Sequence, residues 1–191
     1  MNWIKNHNII LASKSPRRQQ LLRELGFDFT IKTIEVEEKF PLEMSMEEIP
    51  VFLAELKANP FEGKLADNDL LITADTIVWH ENKVLGKPEN KEQAIEMLSS
   101  LSNCEHQVVT GVCLKSLKKQ KSFNSVSNVI FKKLTADEIN YYIDNYKPYD
   151  KAGAYGIQEW IGYIGVSHIE GSFFNVMGLP VQKLYSELLI F

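Results

Sequence analysis

Apolar runs alternate with amphipathic segments along this chain, and that alternation predicts an α/β fold. Residues 8–12 (Asn-Ile-Ile-Leu-Ala) read as a short buried strand. Residues 15–25 read as a helix, with Leu21, Leu22 and Leu25 on one face and Gly26 at its C-terminal stop. Residues 27–36 alternate loosely and suggest a second strand. A helix is expected over residues 50–58, where Val51, Leu53, Ala54 and Leu56 supply the apolar positions. Ser45 and Glu48 have the spacing of a capping box, but Pro50 lacks a backbone donor and belongs in the first turn. Residues 70–79 carry the strongest strand pattern, entered from the turn Asp67-Asn68-Asp69 and turned by Glu81-Asn82-Lys83 into Val84-Leu85.

Residues 90–101 form a further helix, capped by Asn90 with Gln93 three residues on. Residues 107–114 and 123–131 are two more strands. Thr135 and Glu138 make a capping box for a helix with Ile139, Tyr142, Ile143 and Tyr146 on its apolar side. A Gly-punctuated stretch over residues 153–178 follows, and Pro180 opens a last helix with Val181, Leu184, Leu188 and Leu189 inward.

The chain has 191 residues, which at roughly 100–200 residues per domain is one domain or two lobes sharing a core. Apolar residues make up 45% and charged residues 24%, an ordinary globular balance that excludes wholesale disorder. Lys+Arg total 21 against Asp+Glu 25, a net charge of −4 that argues against a bulk nucleic-acid or membrane-surface binder. No apolar run reaches the ~18–20 residues of a membrane span, and residues 1–8 lack the sections of a signal peptide. Cys104 and Cys113 sit in no metal or redox spacing and are expected as reduced thiols. These features point to a cytoplasmic protein.

Candidate chemistry begins at Ser13-Lys14-Ser15-Pro16-Arg17-Arg18, directly after the first strand. Ser15 is a good N-cap and Pro16 a good first helical residue, which puts Arg17 and Arg18 at the positive end of the helix dipole. Cations there cost about 0.3–1 kcal/mol each. An anion resolves the conflict, because free N–H groups, the Ser13 or Ser15 hydroxyls and two guanidiniums converge on it. The bland reading is that both arginines bend into solvent. No Walker loop is present, and Gly86-Lys87-Pro88 does not replace one.

Asp75 interrupts the apolar run of the third strand. A carboxylate there costs several kcal/mol unless it is paired, hydrogen-bonded or metal-bound, so it is either a structural pair or a catalytic group. Glu35, Glu37 and Glu38 supply hard oxygens suited to Mg²⁺ or Mn²⁺, although clustered glutamates in a loop are ordinarily a solvated face. Lys57, Lys87 and Lys151 are further cations for a polyphosphate. His7, His80, His106 and His168 are scattered, with no zinc spacing, and no serine-hydrolase elbow is present.

Taken in order, these segments resemble the Maf family of nucleoside triphosphate pyrophosphatases. The resemblance is carried by Ser13-Lys14-Ser15-Pro16-Arg17-Arg18, Ala74-Asp75-Thr76, Gly86-Lys87-Pro88, His106 with Thr110-Gly111-Val112, Asp150-Lys151 with Tyr155-Gly156-Ile157-Gln158, and Glu170-Gly171-Ser172 with Asn175, Gly178 and Pro180. It runs from about residue 9 to residue 190. It implies a two-lobed α/β fold around a strongly bent mixed β-sheet flanked by helices, like that of inosine triphosphate pyrophosphatases, with the active site in the cleft between the lobes of one domain over residues 1–191.

The resemblance also implies hydrolysis of a nucleoside triphosphate to monophosphate and pyrophosphate, with Asp75 as the proton acceptor. Ser13, Arg17, Arg18, Lys57 and Lys87 fall on its phosphate-binding positions, and Glu38 with Asp75 on the site of a divalent cation, Mg²⁺ or Mn²⁺. Arg17, Thr76 and Gln158 match the branch that favours dTTP and UTP. The partner implied is a free nucleotide, with neither nucleic-acid polymer nor membrane, and a homodimer is expected. Three positions depart from the family pattern: Lys147 for Glu, Ser127 for Thr, and Glu159 for Gly. The rival readings are a non-catalytic nucleotide sensor linked to cell-division control and an inosine-type pyrophosphatase.

Overall fold

The computed structural model describes residues 7–191. Its first helix forms where the cap chemistry demands it: Ser15 is the N-cap of α1 (Pro16–Glu24), its hydroxyl accepts the Arg18 N–H, and Pro16 takes the first turn. The chain leaves α1 through Gly26, whose φ of 81° suits glycine. β1 (Asn8–Leu11) precedes the helix and β2 (Phe29–Ile31) follows it, paired in parallel with Ile10 opposite Thr30. β2 is much shorter than the strand expected over residues 27–36. Residues 32–40 are irregular even though Ile34 and Val36 keep the alternation, and Ile34 stays exposed rather than joining a core.

α2 (Glu48–Ala58) carries Pro50 near its start, as expected. Half of the anticipated capping box is present: the Ser45 N–H donates to Glu48 Oε2 at 2.8 Å, but no side chain caps the helix itself. β3 (Asp69–His80) then turns through Glu81 and Asn82, both at positive φ (49° and 60°), into β4 (Lys83–Leu85). Next come α3 (Lys91–Leu101), β5 (Glu105–Lys115), β6 (Gln120–Phe131) and α4 (Ala136–Tyr146). Asn90 caps α3 and a complete Thr135–Glu138 capping box opens α4. The Gly-rich stretch resolves into α5 (Trp160–Gly165), β7 (Val166–Glu170) and α6 (Phe173–Met177), and α7 (Val181–Leu189) ends the fold.

The strands make a seven-stranded mixed sheet in the order β2-β1-β3-β5-β6-β7, with β4 added to β3. Its terminal strands β2 and β7 are short, which limits exposed pairing edges. The chain divides into two units, and β3, β5 and β6 contribute residues to both. The first unit comprises Met1–Asp75, Thr110–Ser125 and Gly178–Phe191. In it, β1 lies parallel to β3, with Leu11 opposite Ile72. Ala54 and Ala58 of α2 pack on Ile10, Leu71 and Cys113 in a buried cluster closed by Phe61 and Leu65. Gly111 explains how closely α2 can approach β5: a Cβ at that position would stand 2.2 Å from the Pro50 carbonyl carbon.

The second unit comprises Thr76–Val109 and Val126–Met177. Here β6 pairs antiparallel with β7, Val129 opposite Ile169. His106, Phe131 and Tyr155 form a ring cluster with centroids 5.0–5.4 Å apart. Ser127 serves structure: its hydroxyl accepts from the Ser172 N–H at 3.1 Å and from Asn175 Nδ2 at 2.9 Å. Lys147 sits at the left-handed C-cap of α4, where a cation meets the negative end of the helix dipole. Both cysteines are free thiols, as expected. Among the described residues no helix is long and apolar enough to cross a membrane.

Candidate active site

The site's foundation in the first unit is the passage from β1 into α1. The Ala12 N–H still bonds the Ile72 carbonyl at 2.9 Å, so the chain remains tied to β3 up to the turn. Ser13 follows, buried, with its hydroxyl accepting the Ser15 N–H at 3.2 Å and its carbonyl accepting Gln19 Nε2 at 3.3 Å. Those bonds fix the turn and set Arg17 and Arg18 in the first helical turn, where no acidic residue is present to complement the dipole.

Arg18 behaves differently from the simple phosphate ligand that the sequence suggests. Its Nε donates to the Gly178 carbonyl at 2.7 Å and its Nη1 to the Ala74 carbonyl at 2.8 Å. The side chain thus binds α1 to the residue just before Asp75 and to the approach of α7. Burial pulls the guanidinium below its ordinary pKa, and Asp75 acts in the opposite direction.

Asp75 is buried on β3 at 8% exposure, so its carboxylate needs a partner. Lys57, in the last turn of α2, supplies it: its ammonium donates to Asp75 Oδ1 and lies 3.0 Å from Glu38 Oε1. Three residues far apart in sequence, Glu38, Lys57 and Asp75, therefore converge as one ion-pair cluster. The other acidic residues of that loop turn elsewhere. Glu35 pairs with Lys14 at 2.7 Å and Glu37 with Lys39 at 2.5 Å, both at the surface. Of the three glutamates, Glu38 alone reaches Asp75's partner.

The remaining candidates belong to the second unit. Thr76 follows Asp75 on β3, and strand alternation turns it to the opposite face. Lys87 is exposed just after β4. Gln158 is half-buried, and its Oε1 is enclosed with no hydrogen-bond partner among the described residues. An enclosed acceptor left open is costly in a finished core and appropriate in a place that receives a donor from a ligand. Lys151 does not supply a spare cation: it is buried and paired with Asp150 at 2.6 Å and Glu159 at 3.2 Å.

Sequence reasoning missed the role of Tyr142, and it noted Glu159 only as a departure from the family pattern. Tyr142 reads as one more apolar position of α4, yet its hydroxyl donates to Glu159 Oε2 and accepts the Gly156 N–H at 3.0 Å. The available signal was the hydroxyl itself, since a buried tyrosine must find a partner for it. Burial, followed by the bond to Glu159, pushes its pKa well above the usual tyrosine range.

Among the described residues no group of three or more His, Cys, Asp or Glu side chains is placed to hold a metal ion. Glu38 and Asp75 nevertheless suit a hard divalent cation. Two carboxylates already meet at one positive charge, the Lys57 ammonium, and Mg²⁺ often takes only one or two carboxylates beside phosphate oxygens and water.

Comparison with known proteins places this geometry in context. A protein of Flavobacterium johnsoniae named dTTP/UTP pyrophosphatase is 55% identical over 185 residues, covering 97% of this chain and 95% of its own. A Bacteroides fragilis protein of the same name is 55% identical over 186 residues, covering 97% and 96%. One from Cytophaga hutchinsonii, also so named, is 50% identical over 188 residues, covering 98% and 86%. Among solved structures, the Staphylococcus aureus Ham1 protein aligns with a TM-score of 0.46 and 19% identity over 65% of this chain and 71% of that one. The Maf-like protein family matches residues 8–190, which takes in every element from β1 to α7, and the chain belongs to that family.

Proposed function

We propose that this protein hydrolyses nucleoside triphosphates, dTTP and UTP foremost, to the nucleoside monophosphate and pyrophosphate. The observation that carries this reading is the buried Asp75 carboxylate, held by Lys57 and joined through it to Glu38, on the strand whose preceding carbonyl Arg18 grips. A structural carboxylate would need one partner. Two carboxylates around one cation, next to a helix start bearing two arginines, form a place for a triphosphate and its metal. The names of the relatives support the same activity and give none to a non-catalytic sensor.

In this reading Asp75 accepts the proton of the water that attacks the α-phosphorus. The bond between the α-phosphorus and the bridging oxygen breaks, and pyrophosphate leaves with that oxygen. Arg17 and the Ser13–Arg18 turn hold phosphate oxygens, with Lys57 and Lys87 adding positive charge as the leaving group develops its own. Arg18 contributes charge from a fixed place, because two of its donors are committed to carbonyls. Mg²⁺ or Mn²⁺ held by Glu38 and Asp75 would supply neutralisation of the triphosphate charge. Gln158 reads the base: its open carbonyl oxygen accepts from the N3–H that thymine and uracil share. The site acts on free nucleotides in the cytoplasm.

Asp75→Asn tests the assignment. It keeps the shape of the side chain and should lower pyrophosphate release at least about a hundredfold while nucleotide binding persists. Activity within a few-fold of the parent would remove Asp75 from the chemistry.

A further inference from the structure

Gln158 Oε1 is enclosed without a hydrogen-bond partner among the described residues, so packing and the backbone that carries the side chain set its aim. A single hydroxyl ties the residues on both sides of it, one through its backbone and one through its side chain. Two residues before Gln158, the Gly156 N–H donates to Tyr142 Oη at 3.0 Å. One residue after it, Glu159 Oε2 accepts the Tyr142 O–H. Tyr142 is fully enclosed at 0% exposure and stacks on Tyr146 within α4, so it is a fixed post.

The second oxygen of Glu159 faces Lys151 at 3.2 Å, and the same lysine also holds Asp150. The turn closes through the Glu159 N–H on the Gly156 carbonyl at 3.0 Å. Packing around it is tight: a Cβ on Gly156 would stand 2.8 Å from Glu159 Cδ and 3.1 Å from Lys151 Cε. Just upstream, Tyr155 Oη is anchored to His106 Nε2 at 2.7 Å. Without Glu159, Tyr142 would lose the acceptor that completes its bridge and Lys151 would lose the more buried of its two carboxylate partners among the described residues. Selecting a base by one carboxamide needs its position held within about 0.5 Å.

We propose that Glu159 is a positioning residue for substrate selection, clamping the turn that presents Gln158 through Tyr142 and Lys151. The inference rests on the base-reading role proposed for Gln158. The charge on Lys151 is neutralised in making the clamp, so this lysine supports the base end of the substrate site rather than its phosphates.

The test compares Glu159→Ala, Glu159→Gln, Tyr142→Phe and Gln158→Ala, each verified as folded by circular dichroism, for pyrophosphate release from dTTP and dGTP. Glu159→Ala and Tyr142→Phe should each lower the dTTP-to-dGTP ratio of kcat/KM by about three- to tenfold, through a raised KM for dTTP. Glu159→Gln, which still accepts from Tyr142, should recover part of that ratio. Added to Gln158→Ala, Glu159→Ala should lower the ratio no further. A ratio that falls in Gln158→Ala but holds in Glu159→Ala and Tyr142→Phe overturns the clamp and leaves base reading intact. A ratio unchanged in Gln158→Ala removes the base-reading role and the clamp with it. Equal fractional losses on both substrates mark a merely structural role and also overturn the proposal. If Glu159→Ala fails to fold, Tyr142→Phe, which removes one oxygen, decides the same question.

Discussion

Lys57 pairs with both Asp75 and Glu38, so its removal takes away a cation that the two carboxylates share. Lys57→Met should therefore lower activity by about 10²–10³-fold, as loss of a charged donor at a reacting phosphate does. A loss below tenfold in steady-state assays would show that the ammonium is ornamental to the reaction. Arg18 invites a different expectation from its neighbour Arg17. Because it bonds two carbonyls, Arg18→Lys should cost about 1.5–3 kcal/mol of stability in urea titration as well as activity. An unchanged unfolding midpoint would contradict its structural share. At this scale the sequence singled out Asp75 by its cost in an apolar strand and the arginines by their place at the wrong end of a dipole. It could not assign Arg18 to carbonyls, because those partners lie at Ala74 and Gly178, far along the chain. Charge and spacing alone did not separate Glu38 from Glu35 and Glu37; the family resemblance singled it out by position.

Elements were legible where local chemistry was strong. Ser15-Pro16, Asn90 with Gln93, and Thr135 with Glu138 each start a helix within a residue of the expected place. β2 and β7 were not, for opposite reasons. The loose alternation over residues 27–36 overstates a strand that ends at Ile31, past which Ile34 finds no core to enter, while β7, largely exposed at the sheet edge, has almost no apolar alternation to detect. Two predictions belong here. Gly111→Ala would drive a Cβ into the Pro50–Val51 backbone, where neither side can yield. It should cost about 3 kcal/mol or more, the upper range for overpacking, and a cost under about 0.5 kcal/mol would contradict the close approach of α2 and β5. His106 on β5 is pushed down to about 3, first by burial and then by His80. The unfolded chain therefore binds a proton that the folded one refuses over the interval from the ordinary histidine pKa down to about 3. Stability contributed by neutral His106 is present above that interval and is lost as pH falls through it, by up to about 1.4 kcal/mol per pH unit. His106→Asn should flatten the acid limb of thermal stability between pH 6 and about 3; an unaltered limb would contradict the burial of a neutral ring.

Across the whole molecule, Ser13, Arg17, Arg18, Glu38, Lys57 and Asp75 lie in one unit, and Lys87 and Gln158, with Tyr142 and Glu159, in the other. That division explains why the chain reads as a scatter of short motifs rather than one long signature. The motifs sit on separate elements, and their order along the chain carries the family resemblance. The measurement closest to the central claim is pyrophosphate release by the purified protein with Mg²⁺ or Mn²⁺ across dTTP, UTP, CTP, GTP, 7-methyl-GTP and ITP. Preferential turnover of dTTP and UTP, with monophosphate and pyrophosphate as the only products, is the predicted result. Nucleotide binding without turnover of any member, or ITP as the preferred substrate, would contradict it.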